Sequence, residues 1–191
     1  MANPDIDDLI ARIRNQDDTV NAPAWQSAET CGAPAVRPLT DLLSDPDVET
    51  ARRAKRALYR IVRHAGRPGS EGEAKAVEDA LVASLKSKEY YVRRELIWML
   101  SELATSSAVA PLAALLFDVQ VREDARCALT RIPGDNAIKA LRAALENTPA
   151  DFRPALAESL RQRGEKVRGY PSRKLVPNAQ TTVTPLLPRE N

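Results

Sequence analysis

Apolar residues recur four apart at five places along the chain: Leu9/Ile13, Leu39/Leu43, Leu81/Leu85, Leu112/Leu116 and Leu141/Leu145. Four of these doublets are followed, 17 or 19 residues after their first member, by another leucine: Leu58, Leu100, Leu129 and Leu160. A spacing of four keeps two side chains on one face of a helix, so each unit reads as an antiparallel helix pair. One such pair cannot cover its own apolar face, and the copies must stack. The pattern therefore predicts an all-α fold, a right-handed α-solenoid of about five stacked antiparallel helix pairs over residues 1–163.

Turn residues set the expected boundaries. The first pair is predicted at 6–16 and 23–31, with Asp17, Asp18 and Asn21 supplying turn and cap chemistry. Its second helix has Ala28 where later copies have leucine, as expected of a terminal repeat. The second pair starts near 33 and stops at Ser44-Asp45-Pro46-Asp47, because proline disfavours helical geometry in the residue before it. A helix over 49–65 follows, with Ala54, Leu58, Ile61 and Val62 inward. The remaining pairs are predicted at 74–87 with 90–104, 108–117 with 121–132, and 136–146 with 151–162. Leu39 and Leu81 are 42 residues apart, against 29 to 31 for the other copies. The excess is assigned to the run HAGRPGSEGEA, residues 64–74, read as an inserted surface loop. After Gly164 the helical period stops and prolines stand at 171, 177, 185 and 188. Residues 164–191 are expected to form a disordered or extended tail.

Composition narrows the class further. Aromatics make up 4% of the 191 residues, and Ala, Leu and Arg dominate, which suits helices packed through small and aliphatic side chains. The formal charge is +2. Residues 164–191 hold five basic and two acidic groups, 5 − 2 = +3, which leaves the body at +2 − 3 = −1. A near-neutral body argues against a surface given over to nucleic acid. Cys31 and Cys127 stand far apart with no CxxC spacing, and neither a secretory leader nor an apolar run of membrane length is visible, so a cytoplasmic protein with reduced thiols is expected.

The stretch VAPLAALLFDVQVREDARCALTRI, residues 109–132, resembles a HEAT-type repeat: an apolar helix ends near an Asp, and Val-Arg opens the second helix. Val92-Arg93, Val121-Arg122 and Phe152-Arg153 repeat that element, whereas the second copy departs from it with Val48-Glu49. The resemblance spans about 5–163 and implies a fold more than an activity. HEAT-like families include scaffolds and adaptors, phycobilin lyases and their relatives, and a DNA glycosylase lineage. It also implies that the second helices line a concave side.

Two features on those second helices are candidate contacts. Trp98 lies about 180° from the face shared by Leu96, Met99, Leu100 and Leu103, beside Arg94, Ser101 and Thr105. Such a tryptophan suits an interface anchor. The second copy carries Arg52, Arg53, Lys55, Arg56, Arg60 and Arg63, then Arg67, with no acid between residues 50 and 70. Aligned on the leucines, Arg52, Arg56, Tyr59, Arg63, Arg94 and Trp98 form one cationic and aromatic strip. The row continues through Cys127 and Glu158, so its positive character is expected to fade. The strip suits another protein's acidic segment, with nucleic acid as the alternative. A base-repair enzyme would need an acid on the same inward face near Trp98, and Glu102, about 120° from the centre of the core side, is the only close candidate. A lyase-like HEAT protein acting on a modified partner is the third class. The lone His64 reads as a helix C-terminal residue, and the acidic pairs as helix caps. No catalytic residue, metal site or cofactor is expected.

Overall fold

A computed structural model describes residues 5–103 and 106–171 of the chain. The helices are α1 (Ile6–Arg14), α2 (Asp18–Gln26), α3 (Ala33–Asp41), α4 (Val48–Ala65), α5 (Glu71–Ser84), α6 (Tyr90–Leu103), α7 (Val109–Ala114), α8 (Arg122–Arg131), α9 (Asp135–Asn147) and α10 (Arg153–Gln162), with no strand among the described residues. Several first turns are capped by acids, among them Asp17 and Asp47 from the turns marked in the sequence. Asp5 accepts the amide of Asp8, Asp17 that of Thr19, and Asp47 those of Glu49 and Thr50.

The helices pack as two layers of an α-solenoid. Each odd-numbered helix packs on the even-numbered one that follows it, and α2, α4, α6, α8 and α10 stack in order to form the second layer. In the first layer α1 meets α3, α3 meets α5 and α7 meets α9, while the short turn Ser106–Ala108 joins α5 to α7. Every member of the five apolar doublets is buried, and Leu58, Leu100, Leu129 and Leu160 are fully enclosed between the layers. Burial of a leucine or isoleucine side chain contributes about 1.5–3 kcal/mol, so this periodic row is the main source of cohesion.

Polar groups finish the joints. The buried guanidinium of Arg53 donates to the carbonyls of Ile13 (3.4 Å) and Asn15 (3.1 Å), closing the C-terminal end of α1. Arg93 does the same for Ser87 and Lys88, both at 2.9 Å, and reaches Asp118 in the next pair at 3.0 Å. Glu78, fully buried on α5, accepts the amide of Ala108 at 2.9 Å just before α7. A helix end that is buried must find partners for its free carbonyls and amides, and these side chains supply them.

Three boundaries differ from expectation. The helix expected over 23–31 is α2 followed, after Ser27, by a separate tight turn, Ala28–Cys31. Ala28 there is fully buried against α4, in the place that leucine takes in later copies. The loop expected over 64–74 spans only 66–70, because α4 continues to Ala65 and α5 begins at Glu71. The additional length resides in two long helices of 18 and 14 residues. At the C-terminal side, Gly164 takes a left-handed conformation (φ +81°), and the chain then turns back so that Val167 and Tyr170 pack on the core. Arg142 pairs with Glu165, and Arg161 donates to the carbonyl of Tyr170. The rest of the expected tail, from 172 on, lies outside the described residues, as do its Leu186-Leu187 pair and Thr105.

Candidate functional site

Helix α4 has a sharply divided surface. Ala54, Ala57, Leu58, Ile61, Val62 and Ala65 are buried, while Arg52, Arg56, Arg60 and Arg63 are exposed, one turn apart along the opposite side. Spacings of three and four residues align those guanidinium groups in one row. Beside the row, Trp25 from α2 and Tyr59 from α4 are half-buried against the core. Trp25, Arg52, Lys55, Arg56, Tyr59, Arg60 and Arg63 together line an open hollow of about 480 Å³.

Two arginines lie over aromatic rings. The Arg56 guanidinium carbon is 5.3 Å from the centre of the Trp25 ring, and that of Arg63 is 5.2 Å from the centre of Tyr59. Both distances fall within cation–π range. Burial pushes the Tyr59 phenol above its ordinary value, with further upward contributions from Glu95 and Glu102 and a downward one from Arg63. The ring is therefore neutral at physiological pH and acts as a wall.

Although no acid lies between residues 50 and 70, most cations of this run are paired. Arg52 pairs with Glu49 on its own helix, Lys55 with Glu95 at 2.7 Å, Arg60 with Glu29 at 3.0 Å and Arg63 with Glu102 at 3.3 Å. Arg53, which the sequence places in the same basic run, is buried at the α1 joint. Arg67 pairs with Glu73. Glu29 belongs to the preceding repeat and Glu95 and Glu102 to the following one, so a scan of residues 50–70 alone misses them. The hydrogen bond from Arg60 also holds the Glu29 carboxyl below its usual range. Among the described residues, Arg56 is the member of the row with no carboxylate partner.

Of the strip inferred from the leucine register, Arg52, Arg56, Tyr59 and Arg63 come together in the hollow, whereas Arg94 and Trp98 do not line it. Ion pairs between α4 and α6 run at 39 and 40 residues rather than 42. Arg94 is exposed on α6. Trp98 is half-buried and turned toward the next pair, its indole N–H donating to Asp124 at 2.8 Å. The acid beside Trp98 is thus Asp124, from 26 residues further on, while Glu102 turns to Arg63. Further along the row Cys127 is half-buried beside Arg126, and Glu158 pairs with Arg161. Trp25 is the residue that the sequence reading missed; its position 31 residues before Arg56 matches the repeat period and is the signal that marks it.

His64 occupies the last turn of α4, with Glu73 at 4.0 Å, consistent with the helix-end role expected for it. Among the described residues no group of three His, Cys, Asp or Glu side chains is arranged to hold a metal, and no helix is long and apolar enough to cross a membrane.

A two-layer stack of helix pairs joined by arginines at the start of the second helix defines the α-solenoid class of repeat proteins. Residues 77–161 match the family model for HEAT repeats, so this part of the chain carries HEAT-type repeats. No curated protein matches it. Among solved structures, it is similar to an engineered protein with 24% identity, covering 83% of this chain and 79% of that one, at a TM-score of 0.41. A second engineered protein shows 23% identity, 83% and 81% coverage and a TM-score of 0.42. A designed armadillo repeat protein in complex with the peptide (KR)4 shows 17% identity, 84% and 88% coverage and a TM-score of 0.40.

Proposed function

We propose that this chain is a non-enzymatic scaffold that binds another protein through the exposed, concave side of its second-helix layer, with the hollow on α4 as the main contact. The observation that carries this reading is the hollow itself, in which side chains of two repeats put five cations and two aromatic walls on one open surface. Interface hot spots are enriched in Trp, Tyr and Arg, and an arginine stacked on a ring is already oriented for a partner's oxygen atoms. The partner is a segment of another protein that brings negative charge to the hollow, and a cytoplasmic setting goes with this reading. The compensating glutamates on either side disfavour a nucleic-acid backbone, which gains by releasing many counterions at once. Arg52, Arg56, Tyr59 and Arg63 carry the contact together with Trp25, and Arg94 and Trp98 extend the same side toward the C-terminal repeats.

The test is capture of partners from an extract by the wild-type chain and by a Trp25→Ala/Arg56→Glu variant, with folding of the variant checked by circular dichroism. Loss of the partners from the variant is the expected result. Retention of the same partners at the same yield refutes the assignment.

A further inference from the structure

We infer that the α4 hollow receives a single oxyanion at Arg56, a lone carboxylate or phosphoryl group on a partner segment that is otherwise apolar, rather than a run of acids. This rests on the reading of the hollow as a protein-binding surface and specifies its ligand.

The row of cations does not act as a uniform basic patch. Lys55, Arg60 and Arg63 are each held by a glutamate from a flanking repeat, and Arg52 by one on its own helix. Each of these pairs cancels most of the field of its cation at distances beyond a few ångströms. An acidic run entering the hollow has to displace those glutamates one by one, and like charges repel it while it does so. Arg56 alone among the described members of the row has its charge free.

Its surroundings select the geometry of the ligand. The Arg56 guanidinium carbon sits over the Trp25 ring at 5.3 Å, and no carboxylate of the described residues pairs with its N–H donors, which leaves them to a ligand. Those donors lie in one plane and match two oxygens of one carboxylate or phosphoryl group. Beside them stand the rings of Trp25 and of Tyr59, which remains an uncharged phenol at neutral pH, and these offer apolar contact to whatever flanks the anion. Desolvation by those rings strengthens one charge-assisted pair, and it penalises further charges that find no free cation.

The experiment uses the full chain and four nine-residue peptides built on a common Ala/Leu host, with Asp, phosphoserine or Asn at the centre, or with five consecutive Asp residues. Binding is followed by NMR at the indole N–H of Trp25 and the Nε–H of Arg56, with the Trp98 indole as an internal control. The single-Asp or the phosphoserine peptide is expected to shift the Trp25 and Arg56 signals and to bind at least about tenfold more tightly than the Asn peptide. Whichever of the two binds more tightly identifies the oxyanion. Its affinity is expected to fall by less than about tenfold between 50 and 200 mM salt, where a multi-contact polyanion loses on the order of a thousandfold or more. Arg56→Gln removes the binding with the Trp98 signal unchanged. The inference is overturned if the five-Asp peptide binds about a hundredfold more tightly than the single-Asp one with a steep salt dependence, an outcome that leaves the reading of the hollow as a protein-binding surface standing. It is equally overturned if the Asn peptide binds as well, if Arg56→Gln has no effect, or if none of the peptides binds while partner capture still depends on Arg56.

Discussion

Two arginines of one basic run do opposite work. Arg53 is enclosed, and its guanidinium satisfies two carbonyls at the end of α1, whereas Arg52, one residue earlier, is exposed and paired with Glu49. Breaking a buried charged hydrogen bond strands its acceptors, which costs about 2–4 kcal/mol, while an exposed ion pair contributes about 0–1 kcal/mol. Arg53→Met is therefore expected to lower the urea midpoint sharply and Arg52→Met to leave it almost unmoved. Equal effects in the two denaturation curves would refute that division. The cysteines divide in the same way. Cys31 is buried, and burial pushes its thiol above the ordinary range, while Cys127 is half-buried. A thiol reagent is expected to modify Cys127 first and to reach Cys31 only at the rate at which the first repeat opens. Faster labelling of Cys31, read by mass spectrometry, would contradict this.

At the scale of elements, Asp47 shows how a single side chain starts a helix. It accepts from Glu49 and Thr50 at the beginning of α4, and the Thr50 and Gln16 hydrogen bonds hold its carboxyl down at about 2. Asp47→Ala is expected to speed amide exchange at Glu49 and Thr50 while exchange at Ile61 and Val62 changes only with global stability. Uniform acceleration along α4 would assign the residue a different role. Caps of this kind, together with the leucine doublets, are local signals, and so the helix pairs were legible from sequence alone. The run of residues 64–74 was not, because Gly66, Gly69 and Gly72 with several charges look like a loop. The first turn of α5, which holds Glu71, Gly72 and Glu73, is exposed and has no apolar period to announce it. The candidate site was legible by halves. Its arginines share one helix face, but Trp25, Glu29, Glu95 and Glu102 come from other repeats, and their arrival depends on lateral register that no short window contains.

For the whole molecule, carboxylates provide a common pH response. Hydrogen bonds from Thr19, from Arg60, from Thr50 and Gln16, and from Arg122 hold the carboxyls of Asp17, Glu29, Asp47 and Asp151 below their ordinary values. A carboxyl whose value is lower in the folded chain stabilises it fully above the unfolded value of about 4, and that contribution is lost as pH falls through the folded value. The melting temperature is thus expected to hold between about pH 7 and 5 and to fall progressively from about pH 4 toward 2. A flat profile over the acid range would exclude these links as contributors. The unequal helix lengths act at the same scale. At about 1.5 Å per residue, the 18 residues of α4 span about 27 Å and the 10 of α8 about 15 Å. A solenoid of identical units has translational degeneracy: an elongated ligand gains nearly the same contacts after slipping by one unit. Helices of 18 and 10 residues in one layer make the units of this array unequal, so that degeneracy does not extend along it.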